Sequence, residues 1–145
     1  MNIFYKLKWR FYDVRLFIKS KYQLLRYGFE FRDCWGLDYS LSKWIVPRLK
    51  YLRKNLNGHP IELTLEQWEN ILDKIIFSFE YVLNEDKYHD ECYPKDFIFD
   101  FDTDKDGYLV SKDKRKPDFS ILEKYEKQYL DGMELFCRYF RSMWD

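Results

Sequence analysis

Apolar residues recur at three- and four-residue steps along most of this chain, the period of helices with one buried face. Residues 2–26 hold no Gly or Pro, and Phe4, Leu7, Phe11, Val14, Phe17, Ile18, Leu24 and Leu25 fall near helical spacing, so one long helix is expected there. Its rings are expected to be core, with the Lys and Arg stems running past them to water. Gly28 closes the helix, because the residue just past a helix C-terminus favours the left-handed conformation that glycine tolerates best. The link GFEFRDCWG is read as an aromatic loop, with Asp33 placed to cap the next helix.

Residues 34–76 are the most clearly punctuated stretch. A second helix is expected over 37–56, with Leu41, Trp44, Ile45, Leu49 and Leu52 facing inward. Pro47 sits in its middle, where it removes a backbone donor and crowds the preceding turn, so a kink or break is expected. Asn57-Gly58 is the stop. Thr64 opens a third helix: Gln67 completes a capping box, and Leu63 with Trp68 makes the matching hydrophobic staple. Trp68, Ile71, Leu72, Ile75, Phe79 and Val82 carry it to about Asn84. The short turn between the two helices makes 37–84 an antiparallel pair.

Over 85–117 the helical period is lost and the chain becomes acidic and aromatic. This stretch is read as an irregular insertion in which Tyr108-Leu109-Val110 pairs with 97–101 as a short hairpin around Asp106-Gly107. Ser120 with Glu123 forms a second capping box and opens the last helix, within 118–144, along which Ile121, Leu122, Tyr125, Tyr129, Met133, Phe136, Phe140 and Trp144 are apolar. The expected fold is all-α. One compact domain spans 1–145, with about four main helices and an irregular insertion before the C-terminal one.

Composition adds two things to this picture. The first is a surplus of rings: 13 Tyr, 13 Phe and 5 Trp make 21% of the chain aromatic, enough to fill a core and leave rings for a surface. The second is charge placement. The formal net charge is zero, which removes any whole-protein attraction to nucleic acid or membranes. Yet residues 1–28 carry seven basic residues against Asp13, a net +6, and residues 85–106 carry nine acidic against three basic, a net −6. Two such poles suit a homo-oligomer or two different partners, although solvation alone accounts for them. Cys34, Cys92 and Cys137 are odd in number and widely spaced, as expected of reduced thiols in the cytoplasm. Charges interrupt every apolar run near the N-terminus, so neither a leader nor a membrane span is expected.

The sharpest chemical pattern is Asp102-Thr-Asp104-Lys-Asp106-Gly107-Tyr108, closed by Asp113. It resembles an EF-hand calcium loop, with acids at alternate positions, Gly at the sharp turn and a backbone carbonyl at Tyr108. An aspartate in place of the closing glutamate, and Pro117 in the exit segment, depart from that pattern. An acidic hairpin with Asp-Gly at its tip explains the same residues. His59 and His89 have no partners at zinc spacing, although His89-Asp90-Glu91-Cys92 makes half a site. Asp33, Asp38, Glu66 and Glu69 would serve acid–base chemistry only if they converged. The best candidates for a binding face are Trp35, Asp38, Trp44, Arg48 and Trp68. Arg48 lies one helical turn from Trp44, placed to stack on its ring or to fork a phosphate. Core packing of a helical pair is the simpler explanation of three tryptophans.

Trp35 with Leu37-Asp38, Trp44-Ile45-x-Pro47-Arg48-Leu49-Lys50, Asn57-Gly58-x-Pro60, Thr64-x-Glu66-x-Trp68, Ile71-Leu72-Asp73-Lys74 and the closing Leu135-Phe136-x-x-Tyr139-Phe140-x-x-x-Trp144-Asp145 resemble a family of small proteins encoded in bacteriophage and prophage genomes. The likeness spans most of 27–145 and carries no catalytic residues. It implies a cytoplasmic accessory protein of the infected host cell that binds and does not catalyse. Counter-defence is its natural form, by inhibiting a host immune protein or sequestering a small anionic or nucleotide ligand. No cofactor is expected, calcium being the alternative. Nucleic-acid or membrane-surface binding through the basic N-terminal helix is the remaining one.

Overall fold

In a computed structural model, the backbone is described for residues 3–143 and the side chains for residues 14–143. The described residues form five helices and a hairpin: α1 (Ile3–Tyr27), α2 (Leu37–Lys54), α3 (Leu65–Leu83), α4 (Glu85–Asp90), β1 (Phe101–Thr103), β2 (Leu109–Ser111) and α5 (Ser120–Tyr139). The fold class is all-α with a short hairpin, as the periodicity predicts. Two compact units are distinguished, residues 1–41 and 42–145, and the division falls inside α2.

In the first unit, α1 ends where Gly28 takes φ 82° and its N–H reaches the Leu24 carbonyl at 2.9 Å. The chain then folds back along α1. The Phe31 N–H donates to the Gln23 side-chain oxygen at 3.1 Å, and the Ser20 hydroxyl donates to the Glu30 carboxylate. A 3-10 turn at Phe31–Cys34 follows, closed by the Asp33 carboxylate, which accepts the Glu30 N–H at 3.0 Å. Asp33 therefore serves this turn, which corrects its expected role as the cap of α2.

The expectation of a buried α1 stripe is overturned along its described part. Gln23 is the only described α1 residue that is buried, whereas Val14, Phe17, Ile18, Tyr22 and Leu25 are exposed, Leu25 to 88%. The unit covers the polar side of its own helix. Phe4, Leu7 and Phe11, expected in the same stripe, lie outside the described side chains.

The second unit is built around α3. Its start forms as expected: the Gln67 N–H donates to Thr64 Oγ1 at 3.2 Å and the Thr64 N–H to Gln67 Oε1 at 2.8 Å. Thr64→Ala is expected to cost about 1 kcal/mol, read as a lower urea midpoint at unchanged slope. Trp68, Leu72, Ile75 and Phe79 are buried along one side of α3. The main partner of α3 is α5, running antiparallel to it, with Trp68 edge-on to Tyr139 at 5.6 Å and Phe77 stacked on Tyr125 at 6.4 Å. The two helices approach closely at Gly132. A Cβ there would lie 2.1 Å from Ser78 Oγ and 2.4 Å from the Lys74 carbonyl oxygen. Ser78 Oγ itself donates across the crossing to the Tyr129 carbonyl at 2.8 Å.

The α2 residues of this unit add the third layer. Val46 and Leu49 pack with Ile75, Ile76 and Phe79. Lys50 pairs with Glu80, while Arg53 pairs with Asp73 at 2.9 Å and Glu69 at 3.0 Å, so α2 and α3 run antiparallel as expected. The inward stripe differs from the expected one: Ser42, Val46 and Leu49 are buried, while Leu41 and Trp44 are exposed. No break occurs at Pro47, and α2 continues to Lys54. Proline leaves the Lys43 carbonyl without its helical donor. One residue on, the Trp44 carbonyl accepts from Arg48 Nη1 at 2.6 Å. The helix stops short of Asn57-Gly58, where the Asn55 amide donates to the Tyr51 carbonyl at 2.7 Å.

Two features of the insertion were not expected. Residues 85–90 are helical (α4), and the strands begin at Phe101, in register Asp102 with Val110, rather than at residue 97. At α5, the Ser120 and Glu123 box does not form. Asp118 instead accepts both the Ser120 N–H at 3.1 Å and its hydroxyl at 2.6 Å.

Candidate functional site

The residues proposed from sequence as a binding face do not share one environment. Trp68 is 2% exposed and belongs to the α3–α5 core. Trp44 is exposed, and the Arg48 guanidinium lies 3.9 Å from its ring centre while donating to its backbone carbonyl. These two do come together, as a cation stacked on a ring, and the stack satisfies itself. Trp35 and Asp38 belong to the first unit, where Trp35 is 93% exposed.

The acidic loop closes on its own backbone. Asp104 Oδ1 accepts the N–H groups of Asp106 and Tyr108, both at 2.9 Å, and Gly107 takes φ 86° at the tip. Asp102 Oδ1 accepts the Thr103 N–H at 2.9 Å. Asp113 faces Arg115 at 2.6 Å and accepts the Ile98 N–H at 3.1 Å. Arg115 also donates to the carbonyls of Lys95 at 3.0 Å and Asp96 at 2.8 Å, so the pair ties the two ends of the hairpin segment together. Among the described residues, no three His, Cys, Asp or Glu side chains gather to hold a metal ion.

The Arg115 guanidinium and the Ile98 N–H hold the Asp113 carboxyl well below the usual carboxylate range. A depressed folded-state pKa gives stabilisation that is complete above the ordinary aspartate value and is lost only as pH falls through the lowered one. Hydrogen-exchange protection of the Ile98 amide is therefore expected to survive acidification that protonates ordinary aspartates. Asp113→Asn should abolish that protection at neutral pH.

Other candidates resolve into packing. His59 Nδ1 lies 3.0 Å from the Pro60 carbonyl oxygen, and the His89 ring lies against Tyr93 at 5.4 Å. Cys92 is buried and Cys34 and Cys137 are exposed. Glu69 is held by Arg53 and Asp33 by its own turn. Tyr125 donates to Glu91 at 2.7 Å beside Tyr88, and that hydrogen bond to the neutral phenol pushes the Tyr125 pKa up. A cavity of about 410 Å³ opens beside Phe77 between α3 and α5, with Asp73, Lys74, Gln128 and Asp131 around it.

The surface whose rings the sequence assigns to the core, with surface binding as the alternative, is on α1. In an α-helix, Val14, Phe17, Ile18, Tyr22 and Leu25 fall on one side and Ser20 and Gln23 on roughly the opposite one. Ser20 and Gln23 are the residues that the returning chain covers. The apolar side is exposed at every one of its five positions, with Arg15, Lys19 and Arg26 along one edge and Lys21 within it. Lys21 leans over the Phe17 ring at 5.3 Å. At the C-terminal end of α1, Tyr27, Phe29 and Phe31 form an exposed ring cluster, with centroids 5.3 to 6.5 Å apart. The signal was present in the spacing of the apolar residues, but spacing identifies a face and not whether anything covers it. No described helix is long and apolar enough to cross a membrane. No protein-family model, no curated protein and no solved structure matches the chain.

Proposed function

We propose that this is a non-enzymatic binding protein whose docking element is its first unit, residues 1–41. The observation that carries this reading is the uncovered apolar side of α1, from Val14 to Leu25, set among four cations. Exposed contiguous apolar surface of this kind is costly in water and marks interaction sites in proteins that keep it. The polar side of α1 is already used to fix the following turn, which holds the helix with its apolar side outward.

The sequence resemblance to phage and prophage proteins sets such binding in an infected host cell, where blocking a host component is its natural use. Nucleotide capture by Trp44 and Arg48 has less to rest on, because the guanidinium already covers the ring. The test is site-specific photocrosslinking in whole host-cell extract, membranes included, with the photoreactive residue at position 25 and, as a control, at exposed position 124. Products are expected from position 25 and not from position 124, and Ile18→Glu should remove them. Equal products from both positions would refute the reading.

A further inference from the structure

The occupant of the α1 surface follows from its chemistry, granted the reading above that this surface docks. We infer that the first unit lies flat on an anionic lipid surface, with the α1 apolar side sunk below the headgroups.

Three observations point to a bilayer and away from a packed protein groove. First, cations line one edge of the stripe: Arg15, Lys19 and Arg26 lie side by side next to Tyr22. That is the arrangement of helices that lie in a membrane interface, whose Lys and Arg stems reach back to lipid phosphates. Second, Lys21 stands in the seam itself, four residues before Leu25 and three after Ile18. A partner helix packing knobs into holes would have to bury that charge, whereas in a headgroup layer it extends to water. Third, the stripe leads into exposed rings with polar tips, Tyr27 beside Phe29 and Phe31, and Trp35 at 93% exposure. Tyr and Trp favour the boundary between apolar and aqueous phases.

Charge supports the same assignment. Residues 1–41 hold eight basic against four acidic residues, a net +4, so residues 42–145 carry −4. Of the acids in the first unit, Glu30 is engaged by Ser20 and by Arg32 at 2.7 Å, and Asp33 by the Glu30 N–H. Both of those engagements lie on the Ser20 and Gln23 side of α1, away from the stripe. An anionic surface thus meets cations on α1 without meeting these carboxylates. In the sequence, the three- and four-residue apolar spacing continues upstream through Phe11, Leu7 and Phe4, whose side chains lie outside the described residues.

The test is co-sedimentation of the full-length protein with vesicles of neutral phosphatidylcholine, with and without anionic phosphatidylglycerol. Binding is expected to the anionic vesicles alone and to fall as salt is raised. At roughly 1 kcal/mol per cation near such a surface, Arg15→Gln with Lys19→Gln should weaken partitioning about thirtyfold. Ile18→Glu with Leu25→Glu should abolish it. Both pairs are at exposed positions, so an unchanged melting temperature separates loss of binding from loss of fold. Equal binding to neutral vesicles, or binding unmoved by either pair of substitutions, would overturn the inference. So would absence of vesicle binding when crosslinks from position 25 go to a soluble protein, to nucleic acid or to a second copy; the docking reading would then survive alone. Absence of both vesicle binding and position-specific crosslinks would overturn the two together.

Discussion

Trp68→Ala is expected to destabilise the protein by about 3–5 kcal/mol, the largest effect of any single ring removal among the described residues. Trp68 is 2% exposed and meets Tyr139 edge-on at 5.6 Å, so its loss opens a cavity where the start of α3 crosses the end of α5. The surrounding helices cannot collapse into that space without moving Leu72 and Ile75, which are fully buried. Trp35→Ala, at 93% exposure, should change stability by no more than about 0.5 kcal/mol. Urea unfolding followed by circular dichroism separates the two. A Trp68→Ala midpoint within error of the parent would mean that this ring is not core.

Gly132→Ala should also be strongly destabilising, although alanine is the better helix former by about 1 kcal/mol. The added methyl would need the space of Ser78 Oγ, 2.1 Å away, and of the Lys74 backbone carbonyl oxygen, 2.4 Å away. A side chain can rotate out of such a contact, but a carbonyl within a helix cannot, so α3 and α5 must move apart. Forcing extra methylenes into a packed crossing costs about 1–3 kcal/mol net. The melting temperature should fall by roughly 5–10 °C. Gly58→Ala is the control, since a Cβ there meets nothing within 4 Å and no positive φ is required. Equal melting temperatures for the two variants would contradict the close approach of α3 and α5.

The features that sequence reading captured are those decided within a few residues. The Thr64 and Gln67 box, the glycine end of α1 and the α3 stripe depend on local hydrogen bonds and on one strongly apolar helix face. Features decided by a neighbour were misread. Along α2, two overlapping stripes fit the helical period, and the one bearing Val46 faces inward, where Val46 and Leu49 pack against Ile75, Ile76 and Phe79 of α3. At α5, Asp118 lies two residues before Ser120 and takes the role assigned to Ser120 and Glu123. The pairing of Asp113 with Arg115 is legible in principle, two residues apart, but the calcium-loop pattern makes the same carboxylate a metal ligand and leaves Arg115 without a role.

The α1 surface shows the same limit from the other side. The apolar period from Val14 to Leu25 was read correctly as a helix and incorrectly as a buried one, because a single sequence says which residues share a face and not what the face meets. Of the tryptophans singled out, Trp44 does meet Arg48 through their spacing of four, a local relation, whereas the burial of Trp68 depends on Tyr139, far along the chain.

Hydroxyl-radical footprinting of the free protein tests the central claim most directly, because it reads the solvent exposure of individual side chains. Phe17, Ile18, Tyr22 and Leu25 should be modified at rates typical of open surface, while Leu72, Ile75 and Phe79 stay protected. Protection of the α1 residues to the level of Leu72 and Ile75 would mean that the stripe is already covered in the free chain, and would contradict its assignment as a docking surface.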